Sequence, residues 1–119
     1  MNDREERLAF HVIEDDPAVA DALVLMLQEF GHEAHAYVDA ESFLSAAAPE
    51  ANDTVVIDLA LPGMSGAELV RRLRDTGPDL RIVVITGQSL SRLDSQLEGL
   101  GVNHLIRKPV EAEAIRALI

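Results

Sequence analysis

The sequence contains no cysteine and no tryptophan, one tyrosine and three phenylalanines. Without cysteine there can be no disulfide, no thiolate zinc site and no thiol nucleophile. With aromatics at 3% the core must be aliphatic, and a hydrophobic content of 48% is enough to build one. Positive charge is also scarce: 10 Lys and Arg stand against 21 Asp and Glu, for a net charge of -11. Such a surface repels phosphate backbones, so direct nucleic-acid binding by this chain is not expected. No apolar run reaches the roughly 18 residues that a membrane span needs. Residues 1–7 are charged and lack the apolar centre of a signal peptide. A soluble protein of a reducing compartment, most simply the bacterial cytoplasm, is the expectation. There is no internal repeat, no low-complexity tract and no linker. The 119 residues therefore read as one domain over 8–119, preceded by a flexible polar N-terminus over 1–7.

Short β-branched runs alternate with stretches of helical periodicity. Strands are predicted at Leu8–Ile13, Glu33–Val38, Thr54–Ile57, Ile82–Ile85 and Val102–Ile106. Helices are predicted at Pro17–Phe30, Asp39–Ala48, Ala67–Asp75, Gln88–Leu100 and Glu111–Ile119. Asp16 is a good N-cap before Pro17, Gly31 stops the first helix, and Pro49 and Gly77-Pro78 end the next two. Strict alternation of this kind predicts a parallel sheet with right-handed crossovers and helices on both faces.

Chemistry-bearing residues recur at the ends of the strands. Glu14-Asp15-Asp16 follow the first, Asp58 the third, Thr86 the fourth and Lys108-Pro109 the fifth. The carboxyl ends of parallel strands converge on the crevice where open α/β sheets bind ligands. Carboxylates, a hydroxyl and an ammonium would meet there, a set suited to a divalent cation and a phosphoryl group.

These residues carry a resemblance. The segment Val56-Ile57-Asp58-Leu59-Ala60-Leu61-Pro62-Gly63-Met64-Ser65-Gly66 resembles the phosphoacceptor segment of response-regulator receiver domains of two-component signalling. The acidic cluster, Ile85-Thr86-Gly87 and Lys108-Pro109 complete the set in family order, and the likeness runs from about Leu8 to Leu118. The chain is similar to chemotaxis-regulator-like and FixJ-like receivers. The resemblance implies a flavodoxin-like, doubly wound (βα)5 sandwich of three layers, its five-stranded parallel sheet in the order 2-1-3-4-5.

It also implies roles. Asp58 would accept a phosphoryl group from a sensor histidine kinase or a histidine phosphotransfer protein. Mg2+ would be held by Asp15 and Asp58, by Glu14 mainly through water, and by the backbone carbonyl of Ala60. Lys108 would pair with the acceptor carboxylate and then with a phosphoryl oxygen. Thr86 would bind the phosphoryl group and act as the switch. Ala60 and Gln88 occupy the positions that tune hydrolysis. The chain would be no enzyme beyond its own phosphorylation and dephosphorylation.

The sequence departs from the family at two places. Glu14-Asp15 replaces the commoner pair of aspartates, and Leu105 stands where many receivers carry the aromatic partner of the threonine switch. Of the histidines, His11 reads as a satisfied core residue, and His32, His35 and His104 carry no expected metal or phosphodonor role. Val24 and Leu25 fall off the buried stripe of the first helix. In receivers the start of this helix and the loop after Lys-Pro dock kinases, so the pair either extends such a contact or supports a homodimer, or else is a case of scattered surface apolars.

Three functions compete. The first is a phosphorylation-controlled switch that acts on a downstream protein or on a covalent C-terminal effector domain. Ile85-Thr86-Gly87 favours a transcription-regulator output of the FixJ type. The second is a pseudo-receiver, a constitutive interaction module that never turns over phosphate. The third, a phosphatase using Asp58, ranks low because it would need a second acid where Ala60 stands.

Overall fold

Five parallel strands form one sheet in the order β2-β1-β3-β4-β5. The computed structural model describes residues 9–87 and 97–119. Its elements are β1 (Ala9–Ile13), α1 (Pro17–Glu29), β2 (Glu33–Tyr37), α2 (Ala40–Ala46), β3 (Thr54–Asp58), α3 (Gly66–Thr76), β4 (Arg81–Thr86), β5 (His104–Arg107) and α4 (Ala112–Arg116). The strand order is that expected, strands and helices alternate as expected through β4, and the fold is flavodoxin-like.

The pleat sends alternate residues to opposite faces, and two cores form accordingly. Val55 and Ile57 of β3 with Ile82 and Val84 of β4 pack against Phe43 of α2 and Leu69, Val70 and Leu73 of α3. Val56, Val83 and Ile85 pack on the other face against Leu23 and Leu27 of α1 and Ile115 of α4. β3 and β4 are therefore covered on both sides, which explains their unbroken apolar runs. The core is largely aliphatic; Phe10 and Phe43 are its only fully buried aromatic rings among the described residues.

Local signals set the helix starts. Asp16 accepts a hydrogen bond from the Ala18 N–H at 3.0 Å, with Pro17 in the first turn. Asp39 and Ser65 likewise accept from the Ser42 and Glu68 N–H groups. At the end of α1, Gly31 adopts φ +91°, a conformation that favours glycine.

Four element boundaries differ from expectation by two residues or more, one of them at the expected fourth helix, whose residues 98–100 form a turn. α2 ends at Ala46 rather than Ala48: Ala47 is extended, in an alanine run that carries no stop signal before Pro49. β5 begins at His104 rather than Val102, because Asn103 closes the ladder with both side chain and backbone. Its Oδ1 accepts from the Ile82 N–H at 2.7 Å, and its own N–H donates to the Ile82 carbonyl at 2.8 Å. α4 spans only Ala112–Arg116, and the Leu118 N–H turns back to the Ile115 carbonyl in a tighter turn.

Two side-chain expectations also change. Val24 is half-buried and packs on the α1 core, so of that pair only Leu25 is exposed. His11 is buried, but only its Nε2 has a partner. The expected leader over 1–7, Leu8 at the start of the first strand, and residues 88–96 of the expected fourth helix, Gln88 among them, lie outside the described residues.

Candidate functional site

The site is built where β1, β3, β4 and β5 end together. Asp58 is the last residue of β3 and is buried. The ladder runs one rung past it, with the Leu59 N–H donating to the Ile85 carbonyl at 3.1 Å, so the strand stays straight up to the carboxylate. The chain then turns sharply. The Ala60 N–H donates to Asp58 Oδ1 at 2.9 Å, and the Gly66 N–H donates to the Leu59 carbonyl at 3.2 Å. Gly66 packs directly against this backbone: a Cβ there would lie 2.5 Å from the Asp58 carbonyl oxygen and 2.7 Å from the Leu59 Cα. Only glycine lets α3 start so close to the site. Glu41 of α2 secures the loop from the far side by accepting the Met64 N–H at 3.1 Å.

Lys108 follows β5, and its N–H donates to the Thr86 carbonyl at 2.8 Å; the Lys108–Pro109 peptide is cis. From this anchor its ammonium reaches Asp58 Oδ2 at 2.8 Å and Glu14 Oε1 at 3.1 Å. Glu14 is buried just after β1, with its N–H bound to the Tyr37 carbonyl at 3.0 Å and its Oε2 accepting the Asp16 N–H at 3.2 Å. Asp15 is exposed beside it. Thr86 is buried at the end of β4.

Two carboxylates share one ammonium, and the pKa shifts follow. Burial pushes Glu14 up to about 7, and the neighbouring Asp58 adds to the rise against the Asp16 N–H and Lys108. Burial also opposes ionisation of Asp58, but hydrogen bonds from Lys108 and the Ala60 N–H outweigh it and hold Asp58 below the usual aspartate value. Burial opposes the charge on Lys108 as well, and its hydrogen bond to Asp58 with its ion pair to Glu14 overcomes that and raises it. The Asp58–Lys108 pair is thus ionised at neutral pH, while Glu14 is poised to gain or lose a proton.

One oxygen from each of Glu14, Asp15 and Asp58 lies within 4.8 Å of the other two. Glu14 Oε1 is buried and makes no hydrogen bond, since the Lys108 ammonium approaches it at ion-pair distance without hydrogen-bond alignment. An all-oxygen cluster with an underserved carboxylate oxygen fits a hard divalent cation. Five of the expected site residues therefore lie together: Glu14, Asp15, Asp58, Thr86 and Lys108. Ala60 is beside them, but the group seen to touch Asp58 is its N–H. Leu105 lies on β5 and is 39% exposed. Glu14 also meets Lys108 directly, a contact not expected from the sequence. The clasp by Glu41 had no signal in the sequence.

Comparison with known proteins agrees with this geometry. The family model described as response regulator receiver domain matches residues 10–119. The chain is 33% identical to the transcriptional regulatory protein FixJ of Azorhizobium caulinodans, over 96% of this chain and 54% of that protein. It is 36% identical to the two-component response regulator PhoP of Pseudomonas aeruginosa, over 89% of this chain and 47% of that one. It spans about half the length of these curated relatives. Among solved structures it resembles a response regulator protein from Burkholderia pseudomallei that holds a phosphorylated aspartic acid, a calcium ion and citrate. That likeness has a TM-score of 0.81 and 30% identity, and covers 92% of this chain and 65% of that one. A match across almost the whole chain, on a sheet of this order, leaves one assignment: the chain belongs to the response regulator receiver domain family of two-component systems.

Proposed function

We propose that Asp58 accepts a phosphoryl group from a sensor histidine kinase or a histidine phosphotransfer protein, and that the modified domain changes its contacts with a downstream partner. The observation that carries this reading is the state of Asp58: buried, held ionised by Lys108 at 2.8 Å and oriented by the Ala60 N–H at 2.9 Å. An oxygen of Asp58 forms the new P–O bond, the P–N bond of a phosphohistidine breaks, and the electron pair leaves with the imidazole. Phosphoryl transfer of this kind is mainly positioning and charge neutralisation. Lys108 moves from the carboxylate to a phosphoryl oxygen, and Thr86 binds another.

Asp15 and Asp58, with Glu14 through water and the Ala60 carbonyl, would hold Mg2+. When bound, the ion supplies positive charge against the phosphoryl oxygens. The three clustered carboxylates support this, as does the Burkholderia relative, whose structure holds a calcium ion as well as a phosphorylated aspartic acid. The domain itself catalyses only gain and loss of its own phosphate, with Ala60 and Gln88 setting the rate of loss. Leu105 provides no aromatic ring, so Thr86 would signal through backbone or helix movement instead.

An apolar cavity of about 580 Å³ lies next to Lys108, lined by Ala18, Val19, Ala22, Met26, Pro109 and Val110 among others. It suits kinase docking. The half-length match to FixJ and PhoP supports a receiver that works on a C-terminal transcription-regulating effector, with homodimerisation as one route to output. No helix among the described residues is long and apolar enough to cross a membrane; a cytoplasmic location accompanies the reading.

Intact-mass measurement after incubation with acetyl phosphate and Mg2+ tests it. A single adduct of about 80 Da, dependent on Mg2+ and absent from Asp58→Asn, is the expected result. If neither that adduct nor a beryllofluoride complex forms while Mg2+ binds, the reading fails and the constitutive pseudo-receiver takes its place.

A further inference from the structure

β5 carries Lys108 to the site but has little burial of its own. It stands last in the strand order, pairs with β4, and buries only Ile106 of its four residues. Strand register is strongly specified where burial decides which side chains turn inward, and weakly where it does not. Yet the place of Lys108 depends on that register. A slip of two residues would keep the alternation of faces and carry Lys108 about 6.6 Å along the strand. Its 2.8 Å contact with Asp58 would be lost.

Hydrogen bonds beyond the ladder hold the strand at both ends. At its exit the Lys108 N–H donates to the Thr86 carbonyl at 2.8 Å. At its entry stands Asn103, whose N–H donates to the Ile82 carbonyl at 2.8 Å while its Oδ1 accepts from the Ile82 N–H at 2.7 Å. Arg74, in the last turn of α3, donates from Nη2 to the same Asn103 oxygen at 3.0 Å. Its guanidinium also donates to the Leu80 carbonyl at 2.7 Å, to the Leu100 carbonyl at 3.4 Å and to the Gly101 carbonyl. A guanidinium presents its donors in a rigid planar fork. One side chain therefore fixes the end of α3, the approach to β4 and the approach to β5 relative to one another.

We infer that Asn103 and Arg74 form a register clamp that positions Lys108 against Asp58. α3 starts at Gly66, against the backbone of Asp58 and Leu59, and ends at the clamp. The ammonium and the carboxylate are thus both referred to one helix. The inference rests on the role proposed for Lys108 in phosphorylation of Asp58. Misplacing a reacting group by about 1 Å can slow a reaction about 10²-fold, so a loosened β5 should be felt in the rate.

The test compares Asn103→Ala, Asn103→Asp and Arg74→Met by the rate at which acetyl phosphate and Mg2+ modify Asp58. Asn103→Ala should slow it at least fivefold. Asn103→Asp keeps the acceptor for both the Ile82 N–H and Arg74, and should restore the rate to within twofold of wild type. Arg74→Met keeps the stem without the donors and should slow it at least threefold; it carries the test if Asn103→Ala does not fold. Repeating Asn103→Ala in Lys108→Ala protein separates positioning from a merely structural role. With the ammonium gone, the added loss should be less than twofold. Hydrogen exchange of the Lys108 amide reads the clamp without phosphorylation and should be at least tenfold faster in Asn103→Ala. Wild-type protein that takes no adduct would sink the phosphorylation reading, and the exchange rate would still decide whether the clamp exists. Unchanged exchange, an unchanged rate in Asn103→Ala, or the same fold loss with and without Lys108 would overturn the proposal.

Discussion

The two ends of the sheet solve opposite problems. At the carboxyl end, Glu14 and Asp58 share the ammonium of Lys108, and Asp15 stands beside them. Among the described residues negative charge exceeds the positive charge there, and burial, with Asp58 adding to it, pushes the Glu14 carboxyl up to about 7. At the amino end, His11 meets Asp53 one to one, and a backbone N–H completes the carboxylate. The first end is electrostatically unfinished and the second nearly closed. Excess like charge in a buried site costs stability and persists where a ligand relieves it. The comparison therefore supports the proposal that the carboxyl end is the reactive one, on physical grounds and independently of any motif.

The largest effect should come from removing Lys108, the cation paired with Asp58 and Glu14 at the carboxyl end. Lys108→Ala leaves Asp58 and Glu14 without their counter-charge and the phosphoryl oxygens without a partner. Loss of one such group slows transfer by about 10²–10³-fold, measurable as the rate of adduct formation with acetyl phosphate. A rate within threefold of wild type would show that Lys108 only balances charge in the unmodified state.

Next in size is the pH dependence that Glu14 imposes. Its native carboxyl lies near 7 and its unfolded one near 4.5, so between those values the native state holds more protons than the unfolded state. In metal-free protein, stability should therefore fall as pH rises from about 4.5 to about 7, by at most about 3 kcal/mol. Glu14→Gln should flatten that slope, leaving the variant more stable than wild type at pH 8 and little changed at pH 4.5. Urea midpoints at the two pH values in a chelator measure it; an unaltered slope in the variant would move the cause to another group.

Both ends were only partly legible in the sequence. β3 and β4 were read to within a residue at each end, because burial on both faces leaves an uninterrupted apolar run. β5 was read two residues early, because its burial is confined to Ile106 and Asn103 substitutes for a ladder residue in a way no periodicity records. At the site, Asp58, Thr86 and Lys108 could be found because strand ends fix them. The Glu14–Lys108 contact could not, since it depends on how deeply the glutamate sinks beside the Tyr37 carbonyl. Asp53 went unnoticed for a related reason: it precedes its strand, and only the fold brings it to His11, 42 positions away.

The amino end offers the smaller effects. Asp53→Asn keeps the shape but replaces a charged acceptor shared by His11 and the Glu50 N–H with a weaker, half-donor amide. Hydrogen bonds to a charged group contribute about 1.5–3 kcal/mol, and the partial exposure of Asp53 puts the expected loss of stability near the lower figure, with phosphorylation unchanged.

The smallest prediction concerns a residue that touches neither end's chemistry yet borders the reactive one. Glu41 reaches from α2 to accept the Met64 N–H, and it lies close under Gly63, whose φ of +70° bends the loop after Asp58. Glu41→Gln retains the reach but trades a carboxylate for a neutral amide, and the bond is exposed, so about 0.5–1 kcal/mol of stability is at stake. The loop's position is held independently by the Ala60 and Gly66 N–H groups, so the rate of Asp58 modification should change by less than threefold. A larger loss of rate with intact stability would mean that α2 positions the phosphoacceptor loop. Control of the reactive end would then extend across the α2 face toward the quiet one.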